Sequence, residues 1–222
     1  MFTGIVQGLR PVHRVVDEPA LRRLAIDLGK LAEGLQPGAS VAINGTCLTV
    51  TQIDYNPASS ADDSCAVWFD VIKESLEQTN LGELVAGSLV NVERSFRVGD
   101  EIGGHVLSGH ISGKVQIASI EIGENERIVR FTVPERWMKY LHHKGFVALD
   151  GASLTIAGVD QMARQISVCL IPETIARTTL GHAKVGDCVN LEVDAQTQAI
   201  VETVERLLGS PEWRERLSFG AG

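Results

Sequence analysis

Cysteine is scarce in this 222-residue chain: Cys47, Cys65, Cys169 and Cys188 stand far apart, with no C-x-x-C pair and no histidine at zinc-finger spacing. A disulfide framework and a structural zinc site are therefore disfavoured, and a reducing compartment fits best. Positive charge is in deficit too, 20 Lys and Arg against 28 Asp and Glu, for a formal net charge of −8. Such a field repels phosphate backbones, so nucleic acid is not an expected partner. No apolar run reaches membrane-spanning length, and residues 1–10 lack the apolar core of a signal peptide. The expectation is a soluble protein with no membrane partner, cytoplasmic, or stromal where an organelle targeting peptide has been removed. No G-x-G-x-x-G follows a strand. Gly109-His110-Ile111-Ser112-Gly113-Lys114 only resembles a phosphate loop, because its glycine spacing is wrong and Val115 stands where Ser or Thr would hold magnesium. Neither His142-His143 nor the pair His105 and His110 has partners at a recognisable ligand spacing, so no metal is expected.

What the chain does have is a duplication. Asn44-Gly45-Thr46-Cys47-Leu48-Thr49-Val50 returns as Asp150-Gly151-Ala152-Ser153-Leu154-Thr155-Ile156. Lys73-Glu74-Ser75-Leu76 returns as Pro172-Glu173-Thr174-Ile175, and Asn80-Leu81-Gly82 as Thr179-Leu180-Gly181. Gly87-Ser88-Leu89-Val90-Asn91-Val92-Glu93 returns as Gly186-Asp187-Cys188-Val189-Asn190-Leu191-Glu192. A period of about 100 residues is too long for a solenoid unit and matches a whole domain. The chain reads as two copies of one domain, each large enough to bury an ordinary core.

Strand signals dominate both copies. Residues 90–93 and 189–193 alternate apolar and polar, which places one face in a core and the other in solvent or at an interface. Residues 67–72 and 166–171 are more continuously apolar and read as buried strands. Glycine punctuation at Pro37-Gly38, Asn44-Gly45, Ala86-Gly87, Asp150-Gly151 and Val185-Gly186 breaks the copies into short strands, so each is a small antiparallel barrel or sandwich. The first copy carries about seven extra residues within the polar run 56–64, which reads as a mobile hairpin loop. Short helices are expected at residues 135–141 and 76–79. Beyond the second copy, Ile200, Val201, Val204, Leu207 and Leu208 recur at helical spacing, which predicts an amphipathic helix that packs on its own barrel or joins subunits.

The copies differ at telling positions. Cys47 and Ser153 hold one place in the repeat, each two residues before a threonine. Taken alone, such a stretch is a turn feeding a strand and its cysteine a small hydrophobe; polar side chains at both positions of both copies point instead to a pocket lining. Laying Thr3-Gly4-Ile5-Val6 on Ser108-Gly109-His110-Ile111 matches His110 with Ile5, and the same alignment matches Lys144 with Gly38 and Asp194 with Ser95. Each difference alone is ordinary surface drift. Together they fit two similar pockets with different tasks. Between the copies, Ile102-Gly103-Gly104-His105 reads as a flexible turn.

Residues 1–8, 44–50, 80–82, 103–110, 144–146, 150–155, 171–174 and 194–198, in that order, resemble the riboflavin synthase family of the trimeric alpha-chain type, over residues 1 to about 208. The resemblance implies an all-β chain of two tandem six-stranded Greek-key barrels, residues 1–104 and 105–198, with a trimerising C-terminal helix and tail at 199–222. It also implies dismutation of two 6,7-dimethyl-8-ribityllumazine molecules to riboflavin and 5-amino-6-ribitylaminouracil, with no cofactor. In the family the productive site lies between barrels of neighbouring subunits of a homotrimer; an association with lumazine synthase is left open.

Carried over residue by residue, the resemblance implicates Ser40, Cys47, His110 and Asp194 in catalysis and Phe2 as important to the site, with His110 first choice for proton transfer. It implies a first-barrel lumazine site of Gly4, Ile5, Val6, Cys47, Leu48, Thr49, Asp70, Val71, Ile72, Lys73, Glu74 and Ser75. The second-barrel site would use Gly109, His110, Ile111, Lys144, Ser153, Leu154, Thr155, Cys169, Leu170, Ile171, Pro172, Glu173 and Thr174. Thr46 departs from the cysteine common at that position in some members of the family, next to the key position rather than on it. The rival reading is a lumazine-binding fluorescent antenna protein, which shares the fold, loses catalytic residues and often binds with one barrel.

Overall fold

The computed structural model describes residues 1–55, 65–211 and 213; the polar run 56–64 lies outside them. The first barrel is built from β1 (Gly8–Glu18), β2 (Leu21–Asp27), β3 (Ser40–Ile43), β4 (Thr46–Tyr55), β5 (Cys65–Ile72) and β6 (Leu89–Arg94). It closes in the ring order β1-β2-β5-β4-β3-β6. The second barrel uses β7 (Gly113–Ile122), β8 (Arg127–Thr132), β9 (Phe146–Leu149), β10 (Ala152–Asp160), β11 (Gln165–Leu170) and β12 (Cys188–Val193), in the same cyclic order. Every pairing is antiparallel, and β2 returns to lie beside β5 rather than β3, a Greek key. Closure leaves neither barrel a free sheet edge.

Local chemistry explains the corners. Asn44-Gly45 and Asp150-Gly151 join β3 to β4 and β9 to β10 as two-residue turns with both residues at positive φ (45° and 78°, 46° and 79°), the geometry that Asn-Gly and Asp-Gly favour. Register shifts fall at matching places, Val50 to Gln52 on β4 and Ile156 to Gly158 on β10, where an extra residue bends the long strand around its barrel. On β5, Cys65, Val67, Phe69 and Val71 point inward, while Asp70 and Ile72 are exposed. The apolar runs at 67–72 and 166–171 are therefore not buried on both faces. Arg23 covers the outward Trp68 ring at 5.1 Å, which lets an aromatic stand outside a barrel.

Each barrel has its own apolar core, around Phe69, Leu24 and Ile43 in the first and Phe131, Ile117 and Leu149 in the second. A third, small cluster of Phe2, Ala42, Leu107 and Ala148 lies between them. Among the described residues, α1 (Lys73–Gln78), α2 (Glu135–Met138), α3 (Pro172–Arg177) and α4 (Ala195–Gly209) punctuate the strands. α3 forms where no helix is expected from the sequence, although Pro172 at its start is a helix-opening signal. The last helix begins earlier than the expected residue 199, because Asp194 caps α4, accepting bonds from the Thr197 amide (2.9 Å) and hydroxyl (2.7 Å). No helix among the described residues is long and apolar enough to cross a membrane.

The barrels meet through reciprocal contacts, the mark of a local twofold axis. Phe2 pairs with its own repeat-mate Leu107, each amide donating to the other's carbonyl at 2.9 Å. Asn91 Nδ2 donates to the Asp150 carbonyl and Asn190 Nδ2 to the Asn44 carbonyl, both at 2.8 Å. The Asn80 amide donates to Asn190 Oδ1 (2.7 Å) and the Thr179 amide to Asn91 Oδ1 (2.8 Å). Gly45 and Gly151 touch on this axis, where a Cβ on either would lie 2.7 Å from the other's amide nitrogen. The polar face of the V-N-x-E strands is thus an interface, satisfied residue by residue.

Candidate functional site

Strand alternation decides what each site can offer. On β4, Cys47 and Thr49 face out and Leu48 faces the core; on β10, Ser153 and Thr155 face out and Leu154 faces in. Asp70 and Ile72 are likewise exposed beside buried Val71, and Cys169 and Ile171 beside buried Leu170. Leu48, Val71, Leu154 and Leu170 were expected to line a ligand. Their side chains are buried in the barrel cores, so only their backbone amides and carbonyls can reach one.

The grouping of residues into sites also needs correction, because the leading segment of each copy crosses to the other barrel. The Ser153 amide donates to the Gly4 carbonyl (2.8 Å), and the Cys47 amide donates to the Gly109 carbonyl (2.9 Å). Gly4-Ile5-Val6 therefore belongs with Ser153, Glu173 and Thr174 of the second barrel, around a notch of about 150 Å³ that Arg177 and Thr178 also line. Gly109 correspondingly lies over Cys47 of the first barrel, bringing His110 and Ile111 to that side. Both crossings require glycine: a Cβ on Gly4 would lie 2.5 Å from Ser153 Cβ, and one on Gly109 2.6 Å from Cys47 Cβ.

Two buried glutamates, absent from the expected site residues, hold the crossing segments. Glu93 accepts from the Thr3 amide (2.6 Å), the Thr3 hydroxyl (2.7 Å) and the Gly4 amide (3.0 Å). Glu192 accepts from the Ser108 amide (2.8 Å) and hydroxyl (2.7 Å) and the Gly109 amide (3.2 Å). Burial raises both carboxyl pKa values and these hydrogen bonds act against it. The signal was available: Asn and Glu recur at the same places in Val90-Asn91-Val92-Glu93 and Val189-Asn190-Leu191-Glu192.

The remaining candidates divide by environment. His110 is exposed, with its backbone amide bonded to Ser108 Oγ (3.1 Å) and no hydrogen bond to its ring among the described residues. Ser40 pairs with Thr49 at the start of β3 and is half-buried. Phe2, expected among the catalytic residues, is 1 % exposed and packs in the inter-barrel cluster against which Cys47 lies. Burial would raise the Asp194 pKa, but hydrogen bonds from the Thr197 hydroxyl and amide and from the Gln196 amide hold it below the ordinary carboxylate value. Glu173 is ion-paired with Arg177 one helical turn on, and Lys73 approaches Glu77 at 3.7 Å. Pro172 opens α3, and Glu74 and Ser75 occupy the matching turn of α1.

Lys144 stands out. Its amide donates to the Ile156 carbonyl as that of Gly38 does to Val50, which fixes the two as structural equivalents. Gly38 has φ +91° and Lys144 φ +65°. A lysine held where its repeat-mate is glycine stores backbone strain, and such strain gathers at functional positions.

The two barrels, each receiving a glycine-led segment from the opposite half, are a tandem repeat of one domain, and the lumazine binding domain model matches both copies, residues 3–95 and 108–194, which makes this a tandem lumazine-binding protein. The riboflavin synthase of Escherichia coli (strain K12) is 47% identical over 214 residues, covering 96% of this chain and 95% of that one. The chain belongs to the riboflavin synthase family. Among solved structures it is similar to LumP complexed with riboflavin (TM-score 0.78, 25% identity, 87% of this chain and 100% of that one). It is similar also to LumP complexed with 6,7-dimethyl-8-(1'-D-ribityl) lumazine (TM-score 0.74, 25% identity, 87% and 99%).

Proposed function

We infer that this protein catalyses the riboflavin synthase reaction, transfer of a four-carbon unit between two molecules of 6,7-dimethyl-8-ribityllumazine to give riboflavin and 5-amino-6-ribitylaminouracil. The observation that carries this reading is the pair of equivalent sites with unequal side chains: Ile5 against His110, Ser153 against Cys47, Lys144 against Gly38. A reaction whose two substrates are the same compound needs two related pockets, and one that treats them differently needs the pockets to differ. Holding the rings together turns an encounter of two molecules into a step within one complex, a term worth up to about 7–11 kcal/mol.

The chemistry asks little of the protein. The 7-methyl group of one lumazine is acidic because its anion spreads into the electron-poor ring, so a modest base removes the proton. His110 serves as that proton carrier. Addition of a nucleophile at the corresponding ring carbon of the second molecule prepares it to accept, and Cys47 and Ser40 support that step or position a water. Thr49, Thr155, Glu74 and Glu173 bind ribityl hydroxyls, and the amides and carbonyls around Leu48 and Leu154 read the pyrimidinedione edge.

The working enzyme is a homotrimer in which the first-barrel site of one subunit faces the second-barrel site of its neighbour. Two features support this. A notch of about 150 Å³ is smaller than the roughly 300 Å³ or more that encloses a small-molecule ligand, so the rest of the wall comes from elsewhere. On α4, Val201 packs on the second barrel and Tyr140 Oη bonds Glu202 (3.0 Å), yet Ile200 and Val204 on another face are 65 % and 47 % exposed. That apolar stripe is the face through which three copies associate.

Incubating the purified protein with 6,7-dimethyl-8-ribityllumazine and following riboflavin by absorbance tests the reading. Riboflavin should accumulate over many turnovers; tight binding with no riboflavin would establish an antenna-type role instead.

A further inference from the structure

We infer that His105 is a positioning residue of the second-barrel site, fixing Ser153 Oγ as the oxygen presented to a bound lumazine. The inference deepens the proposed function and rests on its assignment of a lumazine to the notch beneath Gly4-Ile5-Val6. The sequence alone places His105 only beside a glycine-containing turn. It is instead 7 % exposed, with its ring stacked on Phe146 at 5.0 Å and 15°. Its Nδ1 lies 2.6 Å from Ser153 Oγ, the wall residue whose amide already holds the Gly4 carbonyl.

The chain is shaped to bring this ring there. A Cβ on Gly104 would lie 2.3 Å from the Thr3 carbonyl oxygen and 2.7 Å from Ser153 Cβ. Only glycine can pass over Ser153 and deliver the next residue onto its hydroxyl, and Thr3 is itself pinned by Glu93. Burial pushes the His105 pKa below its ordinary value, against the smaller opposing field of Asp194. The ring is therefore neutral at pH 7, with one donor and one acceptor nitrogen. One is spent on Ser153. The other, Nε2, is buried without a partner among the described residues, the condition that a ligand atom or an ordered water relieves.

A hydroxyl offers one donor and two acceptor positions. With one taken by His105 and the Ser153 backbone tied to Gly4, the Oγ of this notch-lining residue is held in one orientation. The first-barrel counterpart, Cys47, has no side-chain hydrogen bond among the described residues and lies against Phe2, Ala42, Leu107 and Ala148. One site thus presents an oriented hydroxyl and the other an apolar-packed thiol.

The test is a cycle of His105→Ala, Ser153→Ala and the double variant, with His105→Asn as the conservative replacement, since its side-chain amide falls near the place of Nδ1. Turnover of 6,7-dimethyl-8-ribityllumazine, riboflavin Kd and melting temperature are measured for each. His105→Ala should lower kcat about tenfold or more, the scale of a misplaced reacting group. His105→Asn should recover most of it, and the double variant should be no slower than Ser153→Ala. Multiplying losses in the double variant, or an Asn variant as slow as Ala with both melting temperatures reduced, would overturn the inference in favour of a packing role. If the parent chain binds lumazine without converting it, the proposed function fails alone. The same cycle read as riboflavin Kd then decides for or against His105.

Discussion

Replacing Asp150 by the asparagine of its repeat-mate, Asn44, should make the protein more stable at alkaline pH and no more stable in acid. Asp150 is fully enclosed at the seam between the barrels, and burial raises its pKa from 3.8 to about 7, against hydrogen bonds from Asn190, Thr179 and Asn80. The folded state then holds a proton that the unfolded chain gives up near pH 4, so stability falls as pH rises between about 4 and 7 and is level above. A shift of about three units corresponds to about 4 kcal/mol at pH 8, lost at about 1.4 kcal/mol per pH unit. In Asp150→Asn, Oδ1 still accepts from the Asn190 amide (2.8 Å) and Asn80 Nδ2 (2.9 Å). The new amide meets Thr179 Oγ1 where Oδ2 stood at 3.1 Å. Because that hydroxyl also accepts from Asn91 Nδ2 (3.0 Å), its own hydrogen loses an acceptor, at a cost of about 1 kcal/mol. The net gain is about 3 kcal/mol at pH 8, or roughly 6–12 °C in melting temperature for a chain of this size, and vanishes or reverses near pH 4. Calorimetric melting of variant and parent from pH 4 to 8 measures it. Glu93 and Glu192, whose pKa values burial also raises, cancel in the difference. A gap between variant and parent that stays constant with pH would refute the reasoning, since Asp150 would then be ionised in both states.

Three further outcomes follow from the site. Lys144→Gly relieves a non-glycine residue at φ +65° and should raise stability by about 1 kcal/mol while lowering turnover; no gain in melting temperature would show that the position is unstrained. His110→Gln, at an exposed position, should leave melting temperature and riboflavin affinity near parental values and cut kcat, and unchanged kcat would remove it from proton transfer. The parent chain should sediment as the proposed trimer in analytical ultracentrifugation, and Ile200→Glu with Val204→Glu should dissociate it without unfolding the barrels. A variant sedimenting as a trimer would refute the helix's role.

The duplication, the turn chemistry and the class of fold were legible in the sequence because each is local or repeats. Asn44-Gly45 and Asp150-Gly151 specify tight hairpins by backbone preference alone, and the Val-Asn-x-Glu strands announce one polar face by their period of two. The outward positions of Cys47, Thr49, Ser153 and Thr155 follow from the same alternation. Alternation also places Leu48, Val71, Leu154 and Leu170 inward, but sequence could not tell a ligand-facing exterior from a core until the barrels closed.

What the sequence by itself determined is a pair of small β-barrels of one family, with a residue inventory suited to two related ligand sites. Only the tertiary structure decided which residues share a site. The exchange of Gly4-Ile5-Val6 and Gly109-His110-Ile111 between barrels, the placing of His105 on Ser153 and the burial of Asp150 on the local axis all arise from contacts between residues tens of positions apart. Such contacts leave no periodic trace in the chain, because their energy comes from close approach and shared hydrogen bonds that exist only when both halves are folded together.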